Sequence, residues 1–366
     1  MQVLVLGGTG AMGRPLCDLL AERGADVTSV SRSKPDVLNE KIHYLHGNIN
    51  DREFCKELFN SSWDCIVDFM VYTTDHFKEI IDLYLKSTKQ YVFISSARVY
   101  DKVPEGEFIT EKSARLLESC TDETYLKTDE YALAKARQED ILKFSGRKNW
   151  TVIRPSVTYN TQRLQLGGFE KEEWLYRVLK GRSLVFSEDL VNVVTTMTLG
   201  DDVSRGICGI VGKKETLGEI YHITEKNYLT WGEVLELYLD VLQERLGRRP
   251  KVVYTKESVL LKFRKHQMIY AKMLNRKFDN TKIEKYVDVE DFVPAREGLK
   301  KCLNAFLDDV QFKKINWYLE SKNDKSAHEF TAMREIIGSR NKLKYVLSRL
   351  GLEKIGLKIG KGIFRN

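Results

Sequence analysis

The chain has 366 residues, 42% hydrophobic and 30% charged, with a formal net charge of +7; that is enough for one large domain or two smaller ones with ordinary globular cores. No apolar run approaches the ~20 residues of a membrane span, and the opening MQVLVLGG lacks the basic segment and cleavage site of an export signal. The six cysteines (17, 55, 65, 120, 208 and 302) include no C-x-x-C pair and the six histidines form no ligand cluster, so a cytoplasmic protein with reduced thiols and no metal site is expected.

In chain order, QVLVLGG (2–8) reads as a buried strand, and MGRPLCDLLAERG (12–24) as a helix with Leu16, Leu19 and Leu20 on one face. Strands follow at 25–31 and 41–47, a helix at 50–60, a strand at 63–72, a helix at 76–86 and a strand at 90–95. A helix containing Tyr131 precedes a sixth strand at 150–154. Strands alternating with amphipathic helices predict a doubly wound, Rossmann-like α/β fold with a parallel sheet. Beyond Pro155 the alternation decays into helices such as TWGEVLELYLDVLQERLG and isolated strands such as EIYHIT. The expected organisation is a dinucleotide-binding domain over 1–158, a smaller substrate lobe over 159–335 with some segments returning to the sheet, and a basic helical tail over 336–366. The acidic run EKEEW (170–174) reads as a solvated helix start.

GGTGAMG lies between the first strand and the first helix and satisfies both G-x-G-x-x-G and G-x-x-G-x-x-G. Glycines there let backbone approach a pyrophosphate, and the helix N-terminus favours its charge. Gly7, Gly10, Ala11, Met12 and Gly13 are therefore candidate cofactor contacts. The second strand ends in Ser31, Arg32 and Ser33 with no acid for a ribose 2′-hydroxyl. A guanidinium with two hydroxyls suits a 2′-phosphate, which favours NADP while leaving NAD open; the other reading makes Arg32 a solvated loop residue.

Tyr131-x-x-x-Lys135 places an amine one helical turn from a phenol. A neighbouring ammonium stabilises a phenolate, so Tyr131 could move the proton of an alcohol during hydride transfer, and Lys135 could also hold the nicotinamide ribose. Tyr176–Lys180 and Tyr318–Lys322 share the spacing, but only Tyr131 follows a strand end bearing serines, Ser95 and Ser96.

With GGTGAMG, FISSARVYD, YALAKARQE, IRPSVTYN and GDDVSRGI in this order, residues 1–245 resemble the extended short-chain dehydrogenase/reductases, the NAD-dependent epimerase/dehydratase family. The resemblance implies Ser96, Tyr131 and Lys135 as the catalytic set, Asn48 and Ile49 near the adenine, and Pro155 and Val157 near the nicotinamide. It places Ser96 at the substrate oxygen, with Arg98 and Asn160 as further substrate candidates, while Arg163 and Arg182 are candidates to replace an arginine that the family carries and this chain lacks. Two departures stand out. Ser96-Ala97-Arg98 has no Asp–Glu pair for a dehydratase, and VNVVTTMTLGDDV has no arginine for a sugar-nucleotide diphosphate.

The implied function is an NAD(P)-dependent epimerase acting on a nucleotide sugar through a keto intermediate, in surface polysaccharide synthesis and as a homodimer. The alternatives are an NADPH-dependent keto-sugar reductase and, in another class, a non-catalytic dinucleotide-sensing regulator. The excess charge falls late: Lys322 to Asn366 holds eleven Lys or Arg against four Asp or Glu. The body is about neutral, which argues against nucleic-acid binding. The tail spaces Leu343, Val346, Leu347 and Leu350 at helical intervals among lysines. The expected arrangement packs this helix on its own protein with a solvated basic face; the other reading is weak contact with a membrane surface.

Overall fold

A seven-stranded, all-parallel sheet forms the centre of the first of two units in this computed structural model, which describes residues 1–33 and 38–352. Its strands are β1 (Gln2–Leu6), β2 (Asp26–Ser31), β3 (Ile42–His46), β4 (Trp63–Asp68), β5 (Thr88–Ile94), β6 (Trp150–Pro155) and β7 (Glu219–Ile223). They stand in the order β7-β6-β5-β4-β1-β2-β3. The order reverses beside β1, and in such sheets ligands bind beyond the carboxyl ends at that point.

β1 explains the layering. Alternate residues face opposite sides: Val3 and Val5 pack in one core with Leu16, Leu20, Val203 and Ile207, and Leu4 and Leu6 pack in another with Leu58, Phe77, Ile81 and Tyr84. The first face carries α1 (Gly13–Glu22). The second carries α2 (Arg52–Phe59) and α3 (Thr74–Lys86), whose N-termini are capped by the side chains of Asp51 and Thr73. α4 (Tyr131–Lys143) adds Leu142 to the second face, and α5 (Gly200–Ile210) supplies Val203 and Ile207 to the first.

The expected strand at 63–72 stops at Asp68, because Met70 N–H turns back to the Asp68 carboxylate at 2.8 Å. The seventh strand comes from the segment read as the substrate lobe and pairs with β6 from Glu219↔Thr151 to Ile223↔Pro155. The two units are interleaved in sequence. The first holds 1–160, 194–228 and 275–298; the second holds 161–193, 229–274 and 299 onward.

The second unit contains helices Lys171–Leu179, Trp231–Leu246, Trp317–Ala327 and Ser339–Leu350. Thr230 and Glu233 form a capping box at the start of the second of these, and Gly247, at φ 68°, ends it. Trp174 stacks on Tyr238 with ring centroids 4.8 Å apart. The EKEEW run is not simply solvated. Glu173 is buried and bonded to Arg264, and it closes a capping box with Glu170. The tail helix Ser339–Leu350 does pack on its own unit, but through Tyr345 and Ser348: Tyr345 Oη donates to Asp324 at 2.6 Å, and Ser348 Oγ is 2.6 Å from Ser321 Oγ. Leu343, Val346 and Leu350 face outward instead. The last part of the predicted tail, 353–366, lies outside the described residues.

Candidate active site

The glycine turn is built so that no side chain could stand at its key glycines. Gly7 has φ 81°, and its N–H donates to Val30 O at 2.8 Å, tying the turn to β2. A Cβ at Gly8 would lie 2.3 Å from Ser29 Oγ; one at Gly13 would lie 2.5 Å from Gly7 O and 2.8 Å from Gly8 Cα. The following helix, α1, has no side-chain cap and no acid in its first turn. An uncapped helix start behind a turn kept free of side chains at Gly7, Gly8 and Gly13 suits a diphosphate. α5 seals the other side. Ser204 Oγ donates to Met12 O at 2.7 Å, and a Cβ at Gly200 would lie 2.7 Å from Ala11 O. Thr158 Oγ1 approaches Met12 Sδ at 3.9 Å.

A cleft of about 220 Å³ opens beside this turn; Gly7, Thr9, Gly10, Ser31, Arg32 and Ser33 are among its lining residues, as are Ile49 and Met70. Ser31 Oγ is 2.6 Å from Thr9 Oγ1 and accepts the Ser33 N–H at 3.0 Å, which shapes the lip. Arg32 is exposed there. Ile49 is buried, whereas exposed Asn48 turns its Oδ1 to the Asn50 N–H at 3.2 Å, closing its own loop.

At the carboxyl end of β5 the two serines separate in role. Ser95 is buried and donates to Glu139 at 2.5 Å. Ser96 Oγ accepts the Arg98 N–H at 3.2 Å, and its own proton has no acceptor among the described residues. Tyr131 is the first residue of α4, half-buried, with Lys135 one turn further in. Lys135 Nζ lies 6.0 Å from the Tyr131 ring centroid and 4.4 Å from that of Phe93. It donates to Ile94 O at 2.8 Å and to Met70 O at 3.3 Å. Burial lowers its pKa from 10.5 to about 8, against the opposing pull of Asp68 and Glu139.

Two buried carboxylates, both underused by sequence reasoning, fix these groups. Asp68 accepts from Tyr91 Oη at 2.8 Å, Tyr72 Oη at 3.1 Å and Met70 N, and burial raises its pKa. It thereby holds the Met70 peptide whose carbonyl receives Lys135. Its only sequence signal was its place at the end of an apolar strand. Glu139 accepts from Ser95, from Arg154 at 2.9 and 2.6 Å and from Arg115 at 3.1 Å. Burial opposes its charge, but these donors hold its pKa below the ordinary value.

Arg98 stands over the Tyr131 ring at 5.1 Å, pairs with Glu130, and keeps a buried Nε without a hydrogen-bond partner among the described residues. Pro155 ends β6, and Val157 begins the short strand Val157–Tyr159 leading to Asn160, all in the first unit. Arg163 and Arg182 belong to the second unit. Arg163 is exposed. Arg182 is buried and bonded to Glu320 at 3.0 Å and to Glu335 at 3.2 and 3.0 Å within its own unit, while its Nη2 has no hydrogen-bond partner among the described residues. Among the described residues no group of His, Cys, Asp or Glu is arranged to hold a metal ion.

Residues 7–174 match a family model described as NAD(P)H-binding, which supports a nicotinamide dinucleotide as the cofactor class. In fold the chain is similar to an epimerase, Mth375, of Methanothermobacter thermautotrophicus, with TM-score 0.64, 18% identity, and coverage of 84% of this chain and 92% of that one. It is similar to dTDP-glucose 4,6-dehydratase of Bacillus anthracis in complex with NAD, at 0.64 and 18%, covering 84% and 97%. UDP-glucose 4-epimerase of Thermus thermophilus, also with NAD, gives 0.61 and 19%, covering 85% and 100%. The chain thus has the fold of these NAD-dependent epimerase and dehydratase structures. A curated relative, the chloroplast stem-loop binding protein of 41 kDa b of Arabidopsis thaliana, is 24% identical over 246 residues. That match spans 63% of this chain and 60% of the relative, less than two thirds of its length.

Proposed function

We propose that this protein is an NAD(P)-dependent enzyme that moves a hydride at a carbinol carbon of a nucleotide-linked sugar, as an epimerase. The observation that carries the reading is Lys135, an ammonium buried beneath Tyr131 at the same sheet end where Ser96 keeps an uncommitted proton and the glycine turn opens. Gly7, Gly10 and Gly13 would take the diphosphate of the dinucleotide, and Ser31, Arg32 and Ser33 a ribose 2′-phosphate, so NADP is favoured. When bound, the dinucleotide supplies the hydride acceptor and donor.

The residues do the rest. Ser96 donates a hydrogen bond to the substrate oxygen and orients it. Tyr131 takes the hydroxyl proton as the carbon is oxidised and returns it on reduction. Lys135 stays positive beneath the phenol and favours its ionised form. Asp68 and Glu139 fix the peptide and strand end that position Lys135 and Ser96. Positions 96–98 carry no carboxylate pair of the kind that would serve the elimination of water.

The test is incubation with a panel of UDP-, dTDP- and GDP-sugars, followed by proton NMR of the sugars and by nicotinamide absorbance. Interconversion of two sugars without net absorbance change supports the epimerase. Stoichiometric NADPH loss with a keto sugar supports the reductase, which the Arg32 lip also favours. Binding of the dinucleotide with neither reaction supports the non-catalytic sensor.

A second reading rests on the stem-loop binding relative: the same unit would bind an RNA hairpin. A gel-shift titration with a hairpin RNA, repeated with NADPH, separates the two. Tight, salt-sensitive RNA binding without sugar turnover favours the second reading.

A further inference from the structure

The second unit carries an outward apolar row bordered by cations. On the helix Ser339–Leu350, Tyr345 and Ser348 face inward and are buried. Leu343, Val346 and Leu350 lie on the opposite side, Leu350 63% exposed. At helical spacing, Arg340 and Lys344 run along one border of that row, and Lys342 and Arg349 along the other. Ile337, one residue before the helix cap Gly338, is 83% exposed, and Phe330 is 73% exposed beneath the Arg349 guanidinium, 4.4 Å from its ring centroid.

Scattered apolar residues on a surface need no explanation, but these five lie within 21 residues of sequence, four of them on or beside one helix. From Phe330 to Leu352 there are five Lys or Arg and one acid, Glu335, which is bonded to Arg182. The cations crowd one another: Lys344 has its pKa lowered by burial first and then by Lys314 and Arg340.

We infer that this face docks on an anionic lipid bilayer, with Ile337, Leu343, Val346 and Leu350 entering the headgroup–acyl boundary and the flanking Lys and Arg meeting lipid phosphates. Charge complementarity selects the occupant. A nucleic acid would use the cations but leave the aliphatic row in water, whereas an anionic bilayer satisfies both. The helix lies flat in this arrangement, since no helix among the described residues is long and apolar enough to cross a membrane.

Vesicle flotation of the full chain tests this, using phosphatidylcholine alone and phosphatidylcholine mixed with phosphatidylglycerol. The protein should float with the mixed vesicles only and be released by high salt. The combined Ile337→Ser, Leu343→Ser, Leu350→Ser variant changes only exposed side chains, so it should keep the parent circular-dichroism melt while its vesicle affinity falls roughly tenfold or more. Arg340→Gln with Lys342→Gln should weaken binding to mixed vesicles by roughly tenfold to thirtyfold, as expected for two cations near the surface. The proposal is overturned if the chain floats with neither vesicle, if the serine variant floats like the parent, or if the cations prove to serve a hairpin RNA that competes for the face.

Discussion

Lys135→Met separates the cost of burying the ammonium from its use. The drop of its pKa from 10.5 to about 8 means that holding it charged in the folded state costs about 3 kcal/mol at neutral pH. Methionine removes that cost, but it strands the carbonyls of Ile94 and Met70, which Lys135 now serves, at about 1 kcal/mol each. The net expectation is a stability within about 1 kcal/mol of the parent, on the stabilising side, while turnover falls by roughly a hundredfold or more. Urea unfolding at neutral pH and steady-state turnover read the two effects. The sign also fixes the pH dependence. The unfolded chain binds more protons between about 8 and 10.5, so this lysine's contribution to stability grows as pH rises through that window, and the variant loses that slope. Activity should instead decline above about pH 8 as the ammonium is lost. A variant destabilised by more than about 2 kcal/mol, or one active within threefold of the parent, would refute the reasoning.

Arg32→Ala should raise the Kd for NADPH by about tenfold to a hundredfold and that for NADH by less than threefold, since only a 2′-phosphate meets the guanidinium; calorimetric titration of both dinucleotides checks it, and equal losses would count against NADP. Gly13→Ala puts a methyl 2.5 Å from the Gly7 carbonyl and 2.8 Å from Gly8 Cα, where only backbone could yield. It should cost about 1–3 kcal/mol in urea unfolding and weaken NADPH binding at least about tenfold. Glu139→Gln leaves the buried Arg154 guanidinium, 2% exposed, without its carboxylate; a loss of about 3–5 kcal/mol is expected in the same unfolding assay.

Most of the sheet was legible because β1, β4, β5 and β6 each carry a short apolar run bounded by turn residues, and a buried parallel strand needs little else. β7 was harder to assign to the sheet, since nothing local in EIYHIT tells which strand it will pair with. The pairing with β6 is a long-range choice. At the site, Tyr131, Lys135 and the glycines could be read because their chemistry follows from spacing along one element. Asp68 could not, because its partners Tyr72, Tyr91 and Lys135 arrive from separate elements. Arg182 illustrates a different limit. An arginine without a visible partner in sequence finds Glu320 and Glu335 more than a hundred residues away. The tail helix was read with the right period but the wrong face inward. Tyr345 and Ser348 each find a buried hydrogen-bond partner, Asp324 and Ser321, and so outcompete the leucines for the interior.

Tyr131→Phe removes one oxygen and leaves the ring that Arg98 and Lys135 flank. Measured by the sugar interconversion assay alongside NADPH titration, the variant should lose turnover by roughly a thousandfold yet bind the dinucleotide within a few-fold of the parent. Full turnover without that hydroxyl would contradict the assignment of Tyr131 as the proton carrier and, with it, the enzymatic account.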